Sequence, residues 1–537
     1  MIIAKVNNQI HRIFVVDAHS HVGYDVDSVN NPNPMAPFGT IDFYKKTYLE
    51  VIKVTGGAEW KFNSRGVNYE FKIVPNPPVY EIFKQAAAMA EQYKQILERL
   101  ENSWMFDYGV CFPFQDKYRA DNPEALYRAS NERISQVVTR FPVSLKMIGY
   151  CRVHPDEGQK ALDEIEHSVK VKGLRGLKLH PRSEQWLDHV NSQAAVNVLV
   201  QAARFSLPVI FDTRGKESIY AVHDLTKNAK SYLERNEPAL VPHLKVIIGH
   251  CAAGNFDDAK TYQAISDTNN YGELSMVRSP EFDQFIVDFM KKSPAKKDWS
   301  RHILFGSDFP YFFERHAKDV IGFLLTKPFF DAGGTIEDIK NILGGNLLRL
   351  LPDNNLPQIQ TTPIPNPVAV HAKDTGKAKA LEIISRVIVK AIEDSSVDIT
   401  RIMPMFRENM NDYRNEYLLG TRFKSDGEQK DVLMMCLNLI GDDMYALGPI
   451  GQDGTWNKLG YGYFDPDGIT ALQGFTTINM VDQPEAAWNL IKSSLVEAKQ
   501  EQKRLAPVRP PQKPTSGKPP AGMKPMKPMK PMKPARK

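Results

Sequence analysis

Cysteine is scarce in this 537-residue chain, and long apolar runs are missing altogether. The 4 cysteines form no CxxC pair, which argues against a disulfide framework or a zinc finger and favours reduced thiols. No stretch near 18 residues is continuously apolar, so we expect no transmembrane helix. The first residues lack an apolar core followed by a small-residue cleavage site. We therefore expect no secretion and a cytoplasmic location.

Acidic residues are missing from the end of the chain. From Gln502 onward there are 11 Lys or Arg and no Asp or Glu, so the net charge of +5 for the whole chain leaves −6 for residues 1–501. The same segment carries 10 of the 37 prolines and a repeated Met-Lys-Pro triplet. This composition predicts that residues 501–537 are a disordered, solubilising tail with at most weak affinity for polyanions such as RNA or anionic lipid. The body shows no basic patch interleaved with aromatics, which disfavours a nucleic-acid enzyme.

Short apolar segments alternate with helical patterns between residues 12 and 351. The strand-like segments cover residues 13–16, 108–112, 146–152, 176–179, 208–211, 246–248, 273–276 and 303–305, and helical patterns cover residues 122–140, 156–171, 191–206 and 280–292. Near-continuous apolar runs are typical of parallel strands that are covered on both faces. Eight such units predict an α/β fold, a (β/α)8 TIM barrel over residues 1–351, with a doubly wound sheet as the alternative.

Three further segments lie outside the regular alternation. Residues 24–105 are too long for one connection between a strand and a helix, so we expect an inserted subdomain in the first such loop, near the barrel mouth, with a helix over 79–102. Residues 352–373 are rich in Pro and Thr and predict a linker. Residues 374–500 predict a small α+β domain of unknown role, with helices over 378–393 and 485–499 and strands over 432–439 and 474–480.

Titratable side chains follow several of the predicted strands. His19 and His21 end the first strand two residues apart, on one face, where two imidazoles can bind one metal ion. The later strands are followed by Lys178 and His180, by Asp212 and Arg214, by His250 and by Asp308. The carboxyl ends of barrel strands share one face, so we expect these residues to form one site.

Taken together, the motifs DAHSH, GLRGLKLHP, LPVIFDTRG, HLKVIIGHCAAG, ILFGSDFP and ILGGNLLRLL resemble the amidohydrolase superfamily. Within it, the chain looks most like the branch related to aminocarboxymuconate semialdehyde decarboxylase. The resemblance covers residues 12–351 and leaves out the inserted segment and residues 374–537. It implies a divalent metal bound by His19 and His21, with His250 as the catalytic histidine of the sixth strand and Asp308 as the aspartate of the eighth.

Asp212 departs from the family pattern, which usually has a ligand histidine at the end of the fifth strand. A carboxylate still binds divalent metals, but it is harder than imidazole and favours Mn²⁺ or Fe²⁺ over Zn²⁺. We therefore expect one divalent ion, either Zn²⁺ or, because of Asp212, Mn²⁺ or Fe²⁺, with Asp212 and Asp308 among the ligands. The alternative is that Asp212 pairs with Arg214 and the site binds metal poorly.

The remaining roles are hypotheses from position. Asp308 binds the metal or accepts a proton from activated water, and His250 stabilises an oxyanion or shuttles a proton. Asp17 is expected to orient a ligand histidine, and Lys178 to pair with an acidic barrel residue rather than to bridge two metals. The substrate-binding candidates at the mouth are Arg182, Arg214 and His180.

The sequence favours a metal-dependent hydrolase of the amidohydrolase type, acting on a small carboxylate-bearing or cyclic substrate through metal-activated water. A non-oxidative metal-dependent decarboxylase of the same branch is the alternative enzyme. A hypothesis from another class is a degenerate barrel that serves as a binding or scaffold protein through its C-terminal domain and basic tail. A homodimer is a further expectation, because dimers are common among barrels of this type.

Overall fold

The computed structural model describes residues 1–7, 9–22, 38–75, 77–89, 91–113, 125–138, 143, 146–254, 257–311 and 314–352, and, farther along, residues 368–371, 386, 389, 398–404, 416–425, 428–440 and 444–448. The predicted tail, most of the predicted linker and the segments 474–480 and 485–499 lie outside these residues. Within the described ranges, no helix is long and apolar enough to cross a membrane.

The strands are, in chain order, β1 (Ile2–Val6), β2 (Gln9–Ile13), β3 (Val16–Val22), β4 (Glu59–Ser64), β5 (Val67–Ile73), β6 (Tyr108–Pro113), β7 (Met147–Gly149), β8 (Cys151–Arg152), β9 (Leu177–Leu179), β10 (Pro208–Phe211), β11 (Lys245–Ile248), β12 (Asn270–Glu273), β13 (Ile303–Leu304), β14 (Val368–His371), β15 (Asp398–Pro404), β16 (Glu416–Ser425), β17 (Glu428–Ile440) and β18 (Met444–Gly448). The α-helices are α1 (Phe38–Thr55), α2 (Pro77–Met89), α3 (Glu91–Leu100), α4 (Arg128–Val138), α5 (Gln159–Lys170), α6 (Gln193–Arg204), α7 (Lys216–Asn236), α8 (Ala259–Ser266), α9 (Glu281–Lys292), α10 (Glu314–Leu324), α11 (Lys327–Asp331), α12 (Ile336–Lys340) and α13 (Asn346–Leu350).

A closed barrel of parallel strands positions the functional site. β3 pairs with β6 and β6 with β7, while β8 to β13 form a second run of parallel neighbours. Since β7 and β8 are consecutive pieces of one strand, the two runs are continuous. The ring closes where Ala18 N donates to Phe305 O at 3.0 Å and His21 N donates to Phe309 O at 2.7 Å. The α/β class and the TIM barrel predicted from the sequence are therefore confirmed.

Strand alternation separates the inside of the barrel from its outer layer. Ile210 and Ile247 pack in the inner cluster, whereas Val209 and Phe211 pack outward with the apolar faces of the helices. This alternation explains the near-continuous apolar strands, because each strand is buried on both faces. After the apolar residues of each strand, the next residue that faces inward lies at the carboxyl end of the strand. Polar residues there, such as Asp212, point toward the mouth of the barrel.

The N-terminal hairpin corrects the prediction for the start of the chain. β1 and β2 join β4 and β5 of the inserted segment in a four-stranded antiparallel sheet, in the order β2-β1-β5-β4. The sequence analysis placed the first strand at residues 13–16, but β3 begins later and contains the histidine motif. It also predicted one helix over 79–102, where the structure has α2 and α3. The bounds of the insertion, 24–105, stay a prediction.

Most of the barrel predictions agree with the structure to within a few residues. The exception is the seventh barrel strand, which was predicted over 273–276 but ends at Glu273. In the C-terminal part, β14 to β18 form a five-stranded antiparallel sheet in the order β14-β18-β17-β16-β15. The predicted strand over 432–439 lies within β17, and the other four strands were not predicted. The predicted helix over 378–393 falls almost wholly outside the described residues.

Candidate metal centre

Two histidines and an aspartate converge at the carboxyl ends of the first and last barrel strands. His19 and His21 alternate onto the inner face of β3, and Asp308 follows β13. Asp308 Oδ1 lies 3.3 Å from His19 Nε2 and 3.1 Å from His21 Nε2. One ligand atom of each residue lies within 4.8 Å of the others, and all three side chains are buried.

The donor atoms of this cluster fit a divalent metal. Nitrogen and oxygen ligands at about 2.0–2.2 Å from one ion lie roughly 3.0–3.4 Å from each other, which matches the spacing of this cluster. Glu273 Oε2 is 3.0 Å from His19 Nδ1, so the proton of His19 resides on Nδ1 and the lone pair of Nε2 faces Asp308. Two electron-rich atoms at such a distance call for a cation between or beside them. His19, His21 and Asp308 are therefore the residues that would hold the metal.

Lys178 contributes a positive charge to the same place. Its Nζ lies 3.1 Å from His19 Nε2, so the ammonium donates a hydrogen bond to the lone pair that a metal would use. That Lys178 pairs with an acidic residue stays a prediction, although Asp212 and Asp308 are close enough to counteract the lowering of its pKa. Burial dominates and lowers that pKa to about 8.

Burial also controls the charge of the metal-binding side chains. It lowers the pKa of both His19 and His21 well below the usual value, and neighbouring cationic groups lower it further. Neutral imidazoles are the form that binds metals. Burial raises the pKa of Asp308 to about 7, despite the opposing effects of His250 and Lys178. The two imidazoles are therefore neutral at neutral pH, and the carboxyl group of Asp308 is protonated more easily than usual.

Glu273 and Ser275, which the sequence analysis did not identify, connect the cluster to His250. Glu273 Oε2 also accepts the hydroxyl proton of Ser275 at 2.8 Å, and the backbone N–H of Ser275 donates to Oε1 at 2.6 Å. Ser275 Oγ in turn lies 2.7 Å from His250 Nδ1. Glu273, rather than Asp17, is the carboxylate that orients the ring of His19. Glu273 ends a short strand without an apolar run, so hydrophobic patterning gave no signal for it.

Asp212 lies on the other side of His250. Its Oδ2 is 3.0 Å from His250 Nε2 and 3.3 Å from His180 Nε2. Among the described residues, Asp212 is not part of the His19, His21 and Asp308 cluster, and its ligand role stays a prediction. Its Oδ1 is buried and has no hydrogen-bond partner within the described ranges, with Arg214 Nε 3.6 Å away. The alternative to metal binding by Asp212 was an ion pair with Arg214. The structure contains this contact, but at 3.6 Å it is long.

The charges on this pair follow from opposing effects. Burial alone would raise the pKa of Asp212, but His180 and the hydrogen bond from His250 hold it well below its usual value. Burial alone would lower the pKa of His250, but Asp308 and Asp212 raise it above its usual value. Each member of the pair therefore stabilises the charged form of the other.

His250 and Asp308 have backbone conformations that residues other than glycine rarely adopt. His250 has φ of 58° and Asp308 has φ of 54°, both in the left-handed region. His250 lies two residues after the end of β11, and Asp308 lies four residues after the end of β13. Such conformations cost about 1 kcal/mol or more and cluster at functional sites. The strain supports a functional role for both residues.

Asp17 differs from its predicted role. Its Oδ1 accepts the backbone N–H groups of His19 at 3.1 Å and Ser307 at 2.8 Å. Its Oδ2 accepts the hydroxyl groups of Ser307 at 2.6 Å and Tyr44 at 3.1 Å. Burial raises the pKa of Asp17 to about 7, although each of these donors lowers it. Asp17 therefore fixes the backbone at the seam between the first and last strands and does not contact an imidazole ring.

The structure separates the arginines of the mouth into exposed and buried ones. Arg182 is exposed, and the side chain of Arg214 is 41% exposed beside Asp212. Arg152, which the sequence analysis did not identify, is fully buried and lies opposite Lys178 in the pairing of β8 with β9. Its guanidinium donates to Glu184 and, at 3.0 Å, to Pro113 O, but its buried Nε has no partner among the described residues. Alternation along residues 148, 150 and 152 was the signal that could have found it.

Comparison with protein families agrees with the motifs. The amidohydrolase family model matches residues 114–352, less than half of the chain. The superfamily predicted from the motifs is confirmed by this match. The match begins after the first barrel strand, so the roles of His19 and His21 depend on the geometry alone. A comparison with curated proteins finds no match.

Several solved structures are similar to parts of this chain at low identity. 5-Carboxyvanillate decarboxylase from Sphingomonas paucimobilis is 14% identical, covers 63% of this chain and 99% of its own, and has a TM-score of 0.35. A 5-carboxyvanillate decarboxylase from Novosphingobium aromaticivorans, complexed with manganese and a nitrobenzoic acid, is 12% identical over 63% of this chain and 96% of its own, with a TM-score of 0.35. An amidohydrolase from Staphylococcus aureus is 16% identical over 50% and 95%, with a TM-score of 0.34. Likeness at this level carries no argument about activity.

Proposed function

We propose that this chain, whose residues 114–352 match the amidohydrolase family, is a metal-dependent enzyme that decarboxylates a small carboxylic acid. The observation that carries the proposal is the hydrogen bonding of His250 beside the cluster of His19, His21 and Asp308. The ring centroids of His19 and His250 are 5.0 Å apart, so an acid at His250 is adjacent to the donors.

His250 is arranged as a proton donor. Ser275 gives its only hydroxyl proton to Glu273, so its oxygen accepts a proton from His250 Nδ1. The other ring nitrogen, Nε2, faces the carboxylate of Asp212 at 3.0 Å, which also requires a proton between them. Both ring nitrogens therefore carry protons, and the imidazolium can give one up. A general acid of this kind contributes about 10²–10⁴-fold to a reaction rate.

Decarboxylation needs an acid at this point. The bond between the carboxylate carbon and its neighbour breaks, CO₂ leaves, and the electron pair remains on the neighbouring carbon, where a proton must arrive. A divalent ion at His19, His21 and Asp308 would supply the positive charge that draws these electrons away from the breaking bond. His250 Nε2 would deliver the proton, and Asp212 would stabilise the imidazolium until then. Glu273 and Ser275 would keep both rings in orientation.

Substrate binding would use the cationic side chains of the mouth. Arg152 lies opposite Lys178, its buried Nε has no partner among the described residues, and guanidinium groups pair well with carboxylates. Arg214 and His180 flank Asp212 and stay candidates from the sequence. Arg182 is exposed, which makes it a weaker candidate than Arg152.

Hydrolysis, which the sequence analysis favoured, is the second candidate. It needs a base for water rather than an acid, and Asp308 is the observation in its favour because burial raises its pKa to about 7. We place it second because His250, the acid-base residue next to the cluster, already holds both protons. The scaffold hypothesis is disfavoured, because strained, buried residues around a metal-sized cluster are typical of functional sites and are not expected in a degenerate barrel.

A product analysis tests this proposal. Metal-loaded full-length protein is incubated with a set of small aromatic, cyclic and unsaturated carboxylic acids, and CO₂ release is measured. The matching methyl esters and amides are tested for hydrolysis. The variants are His250→Asn and, as a matched control, His223→Asn, which removes a histidine that pairs with Asp267 away from the cluster.

We expect CO₂ release from at least one acid, lowered at least about 100-fold by His250→Asn and unchanged by His223→Asn. Release of alcohols or amines without CO₂ would make the protein a hydrolase. No turnover of either kind would count against an enzyme of this class.

A further inference from the structure

A cavity of about 320 Å³ lies far from the metal cluster, between the inserted helices and the start of β6. Its wall is formed by Tyr48 of α1, residues 73–75 at the end of β5 and just beyond it, Tyr80 of α2, Leu97 and Glu98 of α3, and Glu101, Asn102, Trp104 and Met105 before β6. Because residues 104 and 105 precede β6, the cavity lies at the amino ends of the strands. The metal cluster lies at the opposite, carboxyl ends.

The wall combines aromatic rings with acidic groups. Tyr48 and Tyr80 are partly exposed, and Tyr80 meets the ring of Trp104 edge to face at 5.4 Å. Glu98 and Glu101 are exposed and stand three residues apart. Aromatic-lined grooves bind proline-rich segments in the polyproline II conformation, since the rigid segment loses little entropy on docking. Carboxylates beside such a groove select ligands that also carry Lys or Arg.

Trp104 contributes its ring to the wall. Its side chain is 7% exposed, and its indole Nε1 is buried and not open to the cavity. A ligand would therefore contact the ring of Trp104 rather than its N–H group. Such a contact suits the apolar ring of proline, and a polyproline II segment keeps its own carbonyl groups free for solvent because it forms no internal hydrogen bonds.

The chain itself carries a segment of matching chemistry. Residues 523–534 are four consecutive Met-Lys-Pro triplets. Polyproline II has three residues per turn, so in that conformation a three-residue repeat would place its prolines along one edge and its lysines along the next. The 11 basic residues after position 501 have no acidic counterpart, whereas the rest of the chain is net acidic.

We propose that this cavity binds the chain's own Met-Lys-Pro repeat, residues 523–534, with prolines packed on Tyr48, Tyr80 and Trp104 and lysines paired with Glu98 and Glu101. Successive identical triplets offer several equivalent registers for docking. Binding within one chain is helped further by the high effective concentration of a tethered ligand. The site is independent of the proposed catalysis.

The test uses the full-length protein and a fluorescently labelled synthetic peptide of residues 519–537. In one full-length variant, the tail is disabled by Pro525→Ser, Pro528→Ser, Pro531→Ser and Pro534→Ser. The dissociation constant of the peptide is measured by fluorescence polarisation for this variant and for wild type. A scrambled peptide of the same composition, without proline at every third position, is the control ligand.

We expect the peptide to bind the variant with the four Pro→Ser substitutions at least about tenfold more tightly than wild type, whose own tail occupies the cavity. The scrambled peptide should bind at least about fivefold more weakly than the native one. Equal binding of both peptides, equal binding to both proteins, or no binding overturns the proposal. The measurement is repeated at lower protein concentration. If wild type then binds the peptide as tightly as the variant does, the tail that blocks the cavity belongs to a second copy, which would overturn the intramolecular site.

Variants of the wall locate the binding site. In the variant with the four Pro→Ser substitutions, Glu98→Gln with Glu101→Gln should weaken the binding of the peptide about three- to tenfold, because two exposed ion pairs are lost. Asp224→Asn with Glu234→Gln on α7 removes the same charge elsewhere and should have no effect. Tyr80→Ala removes a partly exposed ring that the prolines would contact and should weaken binding severalfold. Binding that responds equally to both acid pairs would overturn the site.

Discussion

Replacing Lys178 with methionine should make the protein bind its metal more tightly. The Nζ of Lys178 donates to His19 Nε2 at 3.1 Å, and a metal needs the same lone pair. The metal must therefore break this hydrogen bond and tolerate an ammonium group nearby. Methionine has a similar length and neither charge nor donor, so both costs are absent in Lys178→Met.

The size of the effect follows from the bond that is lost. Hydrogen bonds that involve a charged group contribute about 1.5–3 kcal/mol, and about 1.4 kcal/mol is a factor of ten. The dissociation constant for Mn²⁺ or Zn²⁺ should therefore fall at least about tenfold in Lys178→Met. The assay is a titration of metal-free protein against a chelator of known affinity.

Lys245→Met is the matched control. Lys245 is also a buried barrel lysine, but it donates to the backbone oxygens of Ser206 at 3.1 Å and Leu350 at 2.9 Å, away from the cluster. This variant should be less stable yet bind metal with unchanged affinity. An unchanged or weaker affinity in Lys178→Met would refute the reasoning, and a loss of half the bound metal would point to a lysine that bridges two ions.

Three further substitutions test the support of the cluster. Glu273→Gln keeps the shape but weakens the acceptor for His19 Nδ1, so metal affinity should fall about 10–100-fold in the same titration. In Gly306→Ala the new Cβ would lie 2.1 Å from Glu273 Oε1 and 2.9 Å from His19 Cβ. The carboxylate of Glu273 would have to move, so metal affinity should fall by a similar factor. An unchanged affinity would contradict the placement of Glu273 beside His19. Ser307→Ala removes the 2.6 Å donor of Asp17 and should lower the free energy of unfolding in urea by about 1–3 kcal/mol, with unchanged stability counting against a structural role for Asp17.

The barrel and much of its site could be predicted because parallel strands carry strong signals. The residues His19, His21, Asp212, His250 and Asp308 each follow an apolar run, and the topology alone brings such positions to one face. Glu273 escaped detection because its strand is short and polar, which moved the predicted strand three residues downstream. A resemblance of motifs therefore located the donors but not the carboxylate that orients them.

Arg152 and the N-terminal hairpin escaped for a different reason. Arg152 was counted as part of the third strand, and only the break at residue 150 and the inward alternation reveal that it faces the mouth. β1, the inner strand of the hairpin, is stabilised by pairing with β5, which lies about 60 residues away in the sequence. Local patterns do not contain such long-range partners. In the C-terminal sheet, β17 was predicted and the other four strands were not.

The most direct test of the account is the metal content of full-length protein purified without added metal, measured by elemental mass spectrometry for wild type and Asp308→Asn. The account predicts about one divalent ion per chain in wild type and its loss in Asp308→Asn, since Asp308 contacts both ligand histidines. A wild-type protein that holds no metal even after reconstitution, or a variant that keeps it fully, would contradict the assignment of this cluster.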